Sequence, residues 1–284
     1  MKYLFALVSS LAVACFFAAP VFAVPAEEKY VPAEEKNISA ELKAIIARAR
    51  AAVGPEDALN AVKAISFEAE IFDKDGKKTA DILLQFKRPY FEREVVRRAD
   101  TVPADDFYYP EEGAAAAEPK TVEYEIETIS DGESATRIVR NLTEKTRNIV
   151  FLPATDVISR RDFTDANLDF YATPRGGTAV YKGDETVEGK TVALVEYTYT
   201  GGLKIERGFD RASGALFVSR NNGLTTFDVG EKMVSGGLSF FDGSRSLDAD
   251  GNTKFVFKFK KISVNDDVPD DVFRLSIDEI ISGK

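Results

Sequence analysis

The sequence predicts an α+β fold in which helices pack on one strongly curved antiparallel β-sheet. Three observations carry this. Residues 39–65 show helical spacing of apolar side chains. From Phe67 onward, apolar residues recur at alternate positions through most of the chain, the period of a half-buried strand. One further helical or irregular stretch, residues 155–171, interrupts that alternation midway. Few helices against many strands separated by turns read as segregated helix and sheet layers.

Residues 1–23 read as an export signal. Lys2 supplies the positive end, residues 4–17 the apolar run, and Val21-Phe22-Ala23 a small-residue cleavage site, so the mature chain is expected to start at Val24 in the periplasm. The competing reading makes Cys15 a lipid-modified cysteine, but Ala12 stands where a leucine is usual and the apolar run continues past it. Residues 24–38 repeat VPAEEK on either side of Tyr30. Proline, alanine and alternating charge offer little to bury, so this is an exposed linker. Residues 39–284 are expected to form a single domain.

Composition excludes several classes of function. The chain has one cysteine, no histidine and no tryptophan; with the signal removed, disulfide and thiol chemistry go too. The usual neutral-pH base and commonest transition-metal ligand are missing. A net charge of −10 argues against nucleic acid or an anionic membrane surface as partner.

In the domain, Ser39 is placed to cap a helix whose stripe is Leu42, Ile45, Ile46, Ala49 and Val53. Gly54-Pro55 ends it and opens a second helix with the stripe Leu59, Val62 and Ile65. Phe67, Ala69 and Ile71 begin the strands, and Asp75-Gly76 reverses the chain. In the next strand Ile82, Leu84, Phe86 and Arg88 share one face, and Pro89 interrupts the ladder. Arg88 thus ends an apolar face. A guanidinium cannot lose its charge, so it needs acceptors or water there.

Residues 91–98 form a long strand, and residues 99–120 an acidic surface insertion carrying Tyr108 and Tyr109. Strands at 122–129 and 136–141 flank the Asp131-Gly132 turn, and Leu152-Pro153 ends the strand before the central helical stretch. Glu188-Gly189 is a hairpin turn. Val195, Tyr197 and Tyr199 line one strand face, Leu203, Ile205, Arg207 and Phe209 return along the next, and residues 210–214 reverse toward Leu216 and Val218. Near the end, Phe255, Phe257 and Phe259 alternate into a wall of phenylalanine. The acidic runs at 248–252 and 266–271 lack the glycine and terminal glutamate spacing of a calcium loop. Carboxylate pairs such as Glu92 and Glu94 occur, but nothing in the sequence sets two of them in one apolar pocket.

Gly76 followed by ILLQFKRP at 82–89, then Ser130-Asp131-Gly132, resembles the periplasmic outer-membrane lipoprotein carrier family (LolA-like). RDFTDANL at 161–168, YKGDETVEGK at 181–190, FDRASG at 209–214 and ISVNDDVPDDVF at 262–273 are similar to further family segments. The resemblance implies a half-barrel, shared by carriers, outer-membrane receptors and some envelope-stress sensors, with helices covering the concave face. It matches Arg88 to an arginine that points into the cavity and bonds carbonyls of the lid. The implied function is a periplasmic carrier of lipoprotein acyl chains or another lipid, not an enzyme. Leu84, Phe86, Arg88, Phe255, Phe257 and Phe259 are expected to line the cavity, with no cofactor and no metal. Expected partners are a membrane lipoprotein-release transporter or an outer-membrane acceptor, and the carrier itself is expected to be a monomer. The alternative is a sensor domain of the same fold that acts through a protein partner.

Overall fold

The computed structural model describes residues 39–102 and 120–276. The export signal, the linker, and Tyr108 and Tyr109 of the acidic insertion lie outside them. The insertion begins later than its composition implies, because strand pairing holds through Val102 and resumes at Lys120.

Helix α1 spans Ala40–Val53, and the Ser39 Oγ accepts the Leu42 N–H at 3.1 Å. Its stripe buries Leu42, Ile45 and Ala49. Helix α2, Glu56–Asn60, is one turn long. The second helical stripe is therefore corrected: Leu59 is helical, Val62 lies past the helix end and Ile65 already belongs to the first strand. All three are buried nonetheless, because the chain turns directly from helix into sheet.

The strands make one antiparallel sheet. β1 (Ala64–Phe72), β2 (Lys78–Lys87), β3 (Phe91–Val102), β4 (Lys120–Ser130), β5 (Ala135–Asn141) and β6 (Thr146–Phe151) lie side by side in chain order. Helix α3, Ala154–Leu168, then carries the chain to the opposite edge. From there β7 (Thr178–Val187), β8 (Lys190–Thr198), β9 (Lys204–Asp210), β10 (Leu216–Asn221), β11 (Leu224–Ser235), β12 (Leu238–Leu247) and β13 (Thr253–Val264) run inward until β13 pairs with β1. The sheet is an up-and-down meander of 13 strands, open between β6 and β7.

Two neighbouring residues of α3 show that this sheet bends. Asp162 accepts the Gly201 and Leu203 N–H groups, at 2.9 and 3.0 Å, in the β8–β9 turn. Phe163 packs its ring 5.3 Å from Phe86 on β2. β2 and β9 are six strand steps apart in the sheet, about 29 Å on a flat sheet at roughly 4.8 Å per step. Two side chains on adjacent residues cannot bridge that gap, so the strands curl toward α3.

The main core joins α1, α3 and one face of β1, β2 and β8–β13. Its centre is β1, where Phe67 opposes Leu84 of β2, and Ile71 opposes Phe257 of β13. On the other face of the β7–β12 side, Val192, Leu194, Val218 and Phe227 form a smaller cluster. Lys190 and Arg245 lie over its Phe217 and Phe227 rings. Phe91, Val268 and Phe273 make a third cluster where the 3-10 turn Asp270–Phe273 packs back.

Candidate functional site

Leu84, Phe86, Phe255, Phe257 and Phe259 are all buried, and Phe67 links the two strands, with its ring 6.4 Å from Phe86 and 5.8 Å from Phe259. Four of these side chains are packed core; Phe259 also borders an open cavity. Arg88 sits just past the end of β2, at the rim of the same face.

Helix α3 ends without help from its own sequence. Its last turn carries no basic residue and its C-cap is Asp169, so the final carbonyls need hydrogen-bond donors from elsewhere. Three arginines from three elements supply them. Arg88 donates from Nη2 to the Leu168 carbonyl at 3.0 Å and to Asp169 Oδ1 at 2.8 Å, and from Nε to the Val62 carbonyl at 3.3 Å. Arg50 of α1 donates from Nη1 to the Asp169 and Phe170 carbonyls at 2.6 and 3.1 Å, while Glu56 holds its other edge. Arg207 of β9 donates from Nη2 to the Ala166 carbonyl at 3.1 Å. Cations at a helix C-terminus also match the negative end of its dipole.

The cavity opens beside this clamp, between the C-terminal ends of α1 and α3 and strands β9–β13. Its atom-free space, open solvent at the mouth included, is about 730 Å³, of which about 50 Å³ admits the centre of a water molecule. Val53, Ala166, Phe170, Phe240, Phe241 and Phe259 form its apolar walls, and Asn167, Arg207, Asp228 and Lys232 contribute polar groups. A few polar groups in an apolar concavity is the composition of a small-molecule site. Phe170 and Tyr171 line it with φ of 43° and 67°. Such angles are strained for bulky residues, at roughly 1–3 kcal/mol each, and cluster at functional sites.

Burial sets the electrostatics. The Asp165 carboxyl is pushed up to about 7, chiefly by burial and then by the charge of Asp169, with Arg88 opposing. Burial raises Glu92 as well, against the pull of its partner Arg160. Tyr171 and Tyr197 are raised by burial and stay neutral. Among the described residues, no group of three or more acidic, cysteine or histidine side chains is arranged to hold a metal.

Arg50, Asn167 and Arg207 were not among the candidate residues. Arg207 had a signal: it alternates with Ile205 and Phe209, the same inward phase that singles out Arg88. Arg50 gave none, since the carbonyls it meets at the end of α3 lie more than a hundred residues away.

No family model matches the chain, and no curated protein matches it. Among solved structures, it is similar to a DUF1329 family protein from Desulfovibrio piger, with 14% identity over 82% of this chain and 96% of that one, at a TM-score of 0.46. It is also similar to a domain described as an outer membrane lipoprotein-sorting protein from Vibrio parahaemolyticus, with 10% identity over 81% and 94% of the two chains, at a TM-score of 0.47. LprF from Mycobacterium bovis matches with 9% identity over 81% and 96%, at a TM-score of 0.29.

Proposed function

We propose that this protein is an exported envelope carrier, which holds acyl chains of a lipoprotein or another lipid between its helices and the concave face of the sheet. The observation that carries this is the aromatic-walled cavity lying where α1, α3 and the sheet meet. In this reading α3 is the lid, and the arginine bonds to its carbonyls keep the empty protein closed. Leu84, Phe86, Phe255, Phe257 and Phe259 form the apolar surface that a chain reaches as α3 lifts.

Energetics favour the exchange. A charge-assisted hydrogen bond is worth about 1.5–3 kcal/mol, whereas each buried methylene contributes about 0.8 kcal/mol. Burying part of one acyl chain is enough to offset several broken lid bonds. A carrier that works this way needs no covalent step, only a donor that loads it and an acceptor that binds the chain better. A membrane release transporter and an outer-membrane receptor would fill those roles.

The test is mass spectrometry of organic extracts of the protein purified from its native envelope. Co-purified acylated peptide or lipid at near-stoichiometric amount is the expected result. Lipid-free protein bound to a partner protein would instead favour the envelope-sensor reading.

A further inference from the structure

Arg207 is 2% exposed, yet its Nε and Nη1 donate to nothing. It donates to the Ala166 carbonyl, the rings of Tyr171 and Tyr197 lie 5.0 and 5.3 Å from the guanidinium carbon, and the neutral Tyr199 hydroxyl also lies beside it. A guanidinium keeps its charge, and a buried charge without an anionic partner is strongly unfavourable. On the same cavity wall, Asn167 is also 2% exposed. Its Nδ2 donates to the Phe163 carbonyl at 2.8 Å, which fixes Oδ1 as the atom without a donor. Lys232 adds a second positive charge to the lining and Asp228 a negative one, so the polar corner carries a net positive charge.

We infer that this corner is a subsite for the oxyanion head of an amphiphile, a carboxylate or a phosphate, whose chain runs along Phe240, Phe241 and Phe259. This rests on the lipid-carrying reading above and adds the chemistry of the head. The head accepts hydrogen bonds from Nε and Nη1 of Arg207, and a hydroxyl on a phosphate or glycerol donates to Asn167 Oδ1. The Tyr171 ring lies over the guanidinium in a left-handed backbone conformation shared with Phe170. As the head enters, Tyr171 swings aside, and charged hydrogen bonds replace the ring contact.

Binding of dodecanoate, dodecyl phosphate and dodecanol to the full chain tests this. The charged probes should bind at least about tenfold more tightly than dodecanol, about 1.4 kcal/mol, and Arg207→Met should erase that difference. Arg207→Lys should retain part of it, because an ammonium keeps the charge without the planar fork. The tighter charged probe identifies the head as carboxylate or phosphate. Arg207→Met loses the Ala166 bond as well as a buried charge, so its melt serves as the check that the variant folds. If Arg207→Met does not fold, a selective loss of charged-probe affinity in Arg207→Lys supports the subsite. Equal binding of all three probes, or a charge preference that survives both substitutions, overturns the subsite and leaves the lipid-carrying reading intact. Failure to bind any probe overturns both.

Discussion

Arg88 Nη2 joins two groups at the end of α3: it meets the Asp169 carboxylate at 2.8 Å and the preceding Leu168 carbonyl at 3.0 Å. One side chain at the end of β2 thereby fixes the last turn of α3, some eighty residues later in the chain. Arg88→Leu should keep the fold, since the side chain is about a third exposed, and should lower stability by about 1–3 kcal/mol. It should also speed lipid uptake and release. Arg88→Lys should restore only part of the closed state. Thermal melts and lipid-transfer rates of both variants check this; wild-type values for Arg88→Leu in both assays would reduce Arg88 to a solvated strand end.

Arg50 grips the same residue from the other side, through the Asp169 carbonyl. Two guanidiniums on one helix end should not act independently. A double-mutant cycle of Arg50→Met and Arg88→Leu should give a coupling energy of about 0.5–3 kcal/mol. Strict additivity of the two stability losses would mean that the helix end is not held as a unit.

Phe257 is fully buried between Phe255, whose ring meets it edge-on at 5.3 Å, and Phe259, whose ring stacks on it at 6.4 Å. Phe257→Ala should therefore cost about 3–5 kcal/mol by chemical denaturation. A loss well under 1 kcal/mol would show that this face is open in the resting protein, with its ring in solvent or against a removable ligand.

The periodic parts of this fold were legible because one face of the sheet is dry. Ile82, Leu84 and Phe86 alternate cleanly for that reason, as do Phe255, Phe257 and Phe259, and the Arg88 rim position follows from the same count. β11 shows no clean alternation, although two clear hairpin turns bracket it. Asn222-Gly223 and Gly236-Gly237 both have two consecutive positive φ angles, the geometry of type I′ turns. Here the turn chemistry was a stronger signal than β11 itself, whose Gly230 breaks the alternation at a bulge. The site was harder to read. Arg207 carried an inward phase, but which of its donors find acceptors depends on where α3 lies, and that is set by contacts across the whole sheet. No local pattern encodes the meeting of Arg50, Arg88 and Arg207 on one helix end.

Asp165 makes the stability of the fold around α3 pH-dependent. Its carboxyl sits near 7 in the folded protein against an ordinary value of 3.8, with burial, Asp169 and Asp162 raising it and Arg88 and Arg175 opposing. Between those values the folded state holds a proton that the unfolded state releases, so this group's contribution to stability falls as pH rises through the window. Below it both states are protonated and the contribution is complete; above about 7 it is lost. Asp165→Asn stays neutral throughout. The variant should therefore gain stability relative to wild type as pH is raised from 4 to 7, with the difference levelling off above that. Melts of both proteins across this range measure it, with ionised Asp165 also expected to loosen the Arg88–Asp169 pair by competing for the same guanidinium. A difference between the two proteins that does not change with pH would show that Asp165 titrates as an ordinary solvated carboxylate.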